Sequence, residues 1–143
     1  MSLVSPDDGD AVDPIAVLSA VDAESRRNIV ADVVGHPRGM PSGTEIRHMN
    51  PSLSPSTVSE HLSKLEDAGV IASVAPGRAG RSPSAPKRFY YLTEAARAVF
   101  DDNDLFGEEA YRAVYEQVEK PSEIREAQAA PRPAVDSDTV RLE

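Results

Sequence analysis

The stretch LSPSTVSEHLSKLEDAGVI, residues 53–71, constrains this chain more than any other. Ser54 is a strong helix N-cap, Pro55 suits the first helical position, and Val58, Leu62 and Leu65 recur at i, i+4 and i+7 on one face. Gly69 offers a left-handed C-terminal stop. The pattern predicts a helix over 54–68 with one apolar side. Its other side, Ser56, Thr57, Ser59, Glu60, Ser63 and Lys64, is short and polar. Such a helix must lay its apolar face on other elements and present a low row of hydroxyls to a partner.

The flanking sequence supplies those elements. Asp13-Pro14 opens a first helix with Ile15, Leu18 and Val21 as its apolar stripe. Asp22 is positioned to cap a second, in which Ile29, Val30, Val33 and Val34 face inward and which Gly35 and Pro37 end. Ser42 or Thr44 starts a short third helix to about Met49, and Asn50-Pro51-Ser52 turns the chain into the 54–68 helix. Residues 70–74 then have strand character, whereas 76–86 (PGRAGRSPSAP) are too rich in Pro, Gly and Ser for regular structure. Lys87–Leu92 forms a second strand with three aromatics. Helical patterns follow over 94–102 and 105–119. The fold class is mainly α with a small β-hairpin (α+β). Residues 1–12 read as a disordered tail, 13–119 as one domain, and 120–143 as a flexible tail.

Charge separates these regions. The 143 residues carry a net charge of −9, but segment 37–90 holds seven basic and four acidic residues, leaving −12 on the remainder. Four of the basic groups, Arg78, Arg81, Lys87 and Arg88, lie between the two strands or just inside the second. Twelve arginines against three lysines in so acidic a chain is the composition of proteins adapted to concentrated salt. The absence of cysteine excludes disulfides and thiol chemistry. No apolar run reaches the ~20 residues of a membrane span, so a cytoplasmic protein is expected. No phosphate loop, nucleophile elbow or metal motif is present, and His36, His48 and His61 lack ligand spacing. Neither an enzyme nor a cofactor or metal site is expected. The Asp101–Asp104 stretch reads as a solvated helix junction rather than a cation site.

A short helix, a turn and a second helix with a polar outer face make a helix-turn-helix, and the hairpin after it makes a wing. A DNA major groove admits one α-helix, and hydroxyls let that helix approach base edges closely. This reading assigns double-stranded DNA as partner and Arg47, Ser54, Ser56, Thr57, Ser59, Glu60, His61 and Lys64 as its contacts. Arg78, Arg81, Lys87 and Arg88 of the wing would touch the backbone or the minor groove. The alternatives are a winged-helix protein-interaction module and a basal transcription factor; the basic wing favours DNA. Ile15 and Leu18 with Tyr111, Val114, Tyr115 and Val118 are expected to form a homodimer interface. No effector is indicated.

The same residues carry a family resemblance over about 14–100. DAESRRNIV (22–30) resembles the second-helix signature of ArsR-like regulators, and LSPSTVSEHL (53–62) resembles their recognition helix. LEDAGVI (65–71) and FYYLTE (89–94) are similar to the turn and second wing strand that follow. In its acidic, arginine-rich form the sequence resembles haloarchaeal members. The resemblance implies a homodimer that reads a roughly palindromic operator and dimerises through its first and last helices; the function expected of the chain is that of a transcriptional repressor at a promoter. Three features depart from the family: a turn at 50–52 one residue longer, Glu60 where a histidine or neutral residue is common, and none of the cysteines used by metal-sensing members.

Overall fold

The computed structural model describes residues 12–75, 88–130 and 132. Seven helices and two strands occur among them: α1 Pro14–Ala20, α2 Glu24–Gly35, α3 Gly43–Met49, α4 Pro55–Asp67, β1 Ile71–Val74, β2 Phe89–Leu92, α5 Glu94–Asp102, α6 Glu108–Gln117 and α7 Ser122–Ala129.

Most helices begin at side chains that satisfy the first free backbone N–H groups. The Asp13 carboxylate accepts from Ile15 N, Ser54 Oγ from Thr57 N and Thr93 Oγ1 from Ala96 N. At α3, Ser42 and Glu45 form a full capping box. Asp22 does not cap α2; Ala23 occupies that position with no side-chain bond. Two arginines of α2 instead hold the α1–α2 corner, Arg26 Nε donating to Ala20 O at 2.6 Å and Arg27 Nη1 to Asp22 O at 2.7 Å. Ala23 takes the cap position because the turn begins one residue later than the Asp22 side chain suggests.

The core lies between α2, α4 and α5. Ile29, Val30 and Val33 of α2 meet Ile46, Leu62, Leu65 and Phe100, all essentially inaccessible to water. Burying each such side chain contributes about 1.5–3 kcal/mol. In α1 the inward residue is Val17, joined by Val21 just after the helix, and not Ile15, which is 74% exposed. A seven-residue helix turns only twice, and packing on α4 and α5 selects the Val17 face.

Strands β1 and β2 pair antiparallel with Ile71 opposite Leu92 and Val74 opposite Phe89. The segment before α3 adds a bridge, Ser42 opposite Phe89, with Tyr90 N donating to Pro41 O at 2.9 Å. The hairpin is thereby bonded to the start of the helix-turn-helix. Gly69 takes φ +82° between α4 and β1, and a Cβ there would stand 2.5 Å from Val12.

The C-terminal half differs from expectation in two respects. The helix expected over 105–119 runs only over Glu108–Gln117, because Asp104 and Phe106 adopt left-handed φ of 57° and 54°. The segment expected as a flexible tail from 120 contains α7, which packs against α3. Helix α6 crosses α2 at Gly35, where a Cβ would lie 2.5 Å from Tyr111 O. Only glycine permits that approach. No helix among the described residues is long and apolar enough to cross a membrane.

Candidate nucleic-acid interface

Helices α3 and α4 are joined by a turn whose geometry is set from behind by α2. Asn50, 7% exposed, donates from Nδ2 to Ile46 O at 2.8 Å and to Asp32 Oδ2 at 2.9 Å, while Leu53 N donates to Asn50 O. One buried amide thus ends α3, starts the turn and ties both to α2. Burial of Asp32 raises its carboxyl to about 7, against the lowering effect of the Asn50 hydrogen bond.

From this turn α4 projects with Val58, Leu62 and Leu65 buried. Ser54, Ser56, Ser59, Glu60, Ser63 and Lys64 are exposed. The hydroxyls at its start are linked: Ser54 Oγ donates to Thr57 Oγ1 at 2.9 Å and lies 3.3 Å from Ser56 Oγ. Thr57 is half-buried and engaged with the cap, so the freest hydroxyls are those of Ser56, Ser59 and Ser63. His61 is also half-buried. Burial, followed by Arg26 and Lys64, lowers its pKa from 6.5, which disfavours the charged form.

Arg47 of α3 is exposed, its Nη2 3.4 Å from Thr44 Oγ1. The wing is tied to α4 by a polar chain: Arg88 Nη1 donates to Ser73 Oγ and Ser73 Oγ to Glu66 Oε2, each at 2.8 Å. Arg88 is therefore oriented at the wing's base. Arg78, Arg81 and Lys87 lie outside the described residues.

The six residues expected at a dimer interface separate into two groups. Ile15, Val114 and Val118 are exposed at 74%, 62% and 39%, and Leu18 is half-buried. Tyr115 is 3% exposed and does not belong to an outer face: its ring packs edge-on against His36 at 5.6 Å, with Lys120 Nζ over its other side. Tyr111 is half-buried against Phe106. Tyr111 and Tyr115 of the stripe are covered by α2 of the same chain, because Gly35 lets the two helices close together, whereas Val114 and Val118 stay exposed.

Sequence reasoning missed the most polar part of the interior. Glu45, fully buried, accepts at Oε1 from Ser42 N, Ser42 Oγ and Arg132 Nη2, the last at 2.7 Å, and at Oε2 from His36 Nε2 at 2.7 Å. His36 Nδ1 in turn accepts from Arg38 N at 3.1 Å, so the ring is neutral with its proton on Nε2. Burial lowers the His36 pKa and outweighs the upward pull of Glu45. Burial alone would raise the Glu45 carboxyl, but His36, Ser42 and Arg132 together bring it below its ordinary value. Arg132 also donates to the carbonyls of Met40, Ala127 and Ala130 and lies 4.5 Å above the Phe89 ring. The only local signal was the Ser42–Glu45 capping-box spacing. Among the described residues no group of three or more His, Cys, Asp or Glu side chains is placed to hold a metal ion.

Comparison with known proteins agrees with this geometry. The family model described as "Bacterial regulatory protein, arsR family" matches residues 52–73, the span of α4 and the start of β1. The solved structure of a protein with a GntR superfamily winged-helix-turn-helix domain from Halomicrobium mukohataei superposes with a TM-score of 0.76 at 24% identity. That match covers 96% of this chain and 95% of the other. The comparison with curated proteins found no match. This chain has the winged helix-turn-helix fold, and its helix-turn-helix segment is similar to that of arsR-family regulatory proteins.

Proposed function

We propose that the protein is a sequence-specific DNA-binding transcriptional regulator, a repressor that occupies promoter DNA. Helix α4 enters the major groove and the wing lies along the adjacent backbone or minor groove. The observation that carries this reading is the outer face of α4: exposed hydroxyls with Lys64 on a helix braced by a buried turn, flanked by Arg47 and Arg88. Hydroxyls and a lysine suit base edges and phosphates, and bracing reduces the ordering cost of binding. The exposed Ile15, Val114 and Val118 support a homodimer, which would place two α4 helices on a two-fold operator.

Selection of bound fragments from random duplex DNA with the full chain tests the reading. One recovered motif with an inverted repeat is expected. Replacing Ser56 and Thr57 together by alanine should weaken its binding by ~1–3 kcal/mol without loss of fold. Failure to enrich any sequence, or equal binding by the double variant, removes α4 as the reader. Glu60 stands on the same face, where its carboxylate takes up cations as the DNA releases them. The salt dependence should therefore be shallower than the log–log slope near −7 given by about eight phosphate contacts, and Glu60→Gln should steepen it.

A further inference from the structure

We propose that the cleft between α2, β2, α5 and α6 binds a small organic monocarboxylate with a short aliphatic body. The cleft has a volume of about 330 Å³, within the range of small-molecule sites. Val33 and Val34 of α2 and Leu92 of β2 give it an aliphatic wall, and Arg38, Arg97 and Arg112 give it a cationic one.

Three polar atoms of its lining residues distinguish it from a solvated basic groove. Tyr91 Oη, Arg97 Nη1 and Arg112 Nε are buried and have no hydrogen-bond partner among the described residues. Tyr91 itself is 1% exposed. Buried polar groups are nearly always paired in folded proteins, so three such groups around one cleft point to a ligand. All three can donate, and burial pushes the Tyr91 hydroxyl above its ordinary pKa, keeping its proton on. An acceptor-only group, a carboxylate, satisfies donors of this kind, two at a time in the case of arginine.

Arg97 is also oriented before any ligand arrives. Its Nε donates to Asp101 Oδ1 and its Nη2 to Leu105 O and Phe106 O, each at 3.0 Å. Those carbonyls belong to the turn in which Asp104 and Phe106 hold left-handed backbone conformations. The guanidinium is fixed by three bonds, and Nη1 is the corner left over. Charge selects the valence of the ligand. Three arginines stand against Glu94 and Glu108 of the lining and Asp101, which pairs with Arg97, so the cleft carries no surplus positive charge to hold a phosphate dianion. The binding claim does not depend on the DNA reading, since it is measured without DNA.

Isothermal titration of the full chain with 3-methylbutanoate, 3-methylbutanamide and inorganic phosphate tests the site. Saturable one-to-one binding of the acid is expected, with the amide and phosphate each weaker by about ten-fold or more. Arg112→Gln should weaken the acid by about ten-fold or more, and Tyr91→Phe should weaken it measurably with only a hydroxyl removed. Arg125→Gln, on α7 outside the cleft, should bind as the parent does. Tyr91→Phe keeps the test open should Arg112→Gln fail to fold. No saturable binding, equal binding of acid and amide, preference for phosphate, or indifference to both substitutions overturns the proposal.

Discussion

Helix α4 and the segment that ends at Arg132 are both held by polar contacts, but over very different spans of chain. Ser54 caps α4 through Thr57, three residues away. Arg132 reaches Glu45 across 87 residues and Met40 across 92. A local cap keeps its geometry whatever the rest of the fold does. A long-range buried charge pair holds only while the whole arrangement is assembled, and it leaves a severe defect when one member is lost. The outer face of α4 is therefore built on local chemistry, whereas the C-terminal packing draws its long-range polar contacts largely from one guanidinium.

The largest test of that contrast is Arg132→Ala. Glu45 would remain buried with His36 and Ser42 but without a charged partner, at a cost of about 3–5 kcal/mol. Detachment of α7, which would let water reach Glu45, sets the ceiling on that loss. Urea denaturation measures it, and a loss under about 1 kcal/mol would mean that Arg132 does not anchor α7. The double change Glu45→Gln with Arg132→Met removes both charges and should recover much of the stability.

Asp32 gives the next largest effect, and its sign is opposite to that of an ordinary ion-paired carboxylate. Its pKa rises from 3.8 to about 7 on folding. Between these values the native state holds a proton that the unfolded chain has released, so this group's contribution to stability falls as pH rises through that window and levels off above it. Asp32→Asn removes the slope. The variant should be more stable than the parent at pH 8, by up to about 4 kcal/mol, and nearly equal to it at pH 4. The Asn50 contact survives through the new amide oxygen. A parent-like pH profile in the variant would show that Asp32 is not the group that titrates.

The same contrast decides what the sequence disclosed. Ser54-Pro55 with Val58, Leu62 and Leu65 predicts α4 to within a residue because cap, helix and stripe are all local. The strands at 70–74 and 87–92 were legible from their flanking Pro and Gly, and appear as Ile71–Val74 and Phe89–Leu92. Tyr115 was misplaced because its cover is Gly35, 80 residues earlier, and a missing side chain leaves no apolar signal. The His36–Glu45–Arg132 cluster was unreadable for the same reason: each member looks like a surface residue in its own neighbourhood. Arg97 lies in between, since its i+4 partner Asp101 was visible but the left-handed turn it caps was not.

The smallest stability effects separate holding α4 from reading with it. Ser54 Oγ accepts from Thr57 N at 3.1 Å, so Ser54→Ala should cost about 1 kcal/mol in urea denaturation. Ser56, exposed and outside the cap, should change stability by less than about 0.5 kcal/mol when replaced by alanine. Ser54→Asp distinguishes the two roles further. Aspartate is as good a cap as serine, and its charge suits the positive end of the helix dipole, so stability should return to the parent value or above it. A negative charge at the N-terminus of a helix that enters a groove meets DNA phosphates, however, and binding should fall at low salt and partly recover as salt rises. Full stability with weakened binding would fit α4 entering DNA by its N-terminal end. Parent-like binding by Ser54→Asp would mean that this end of the helix points away from DNA.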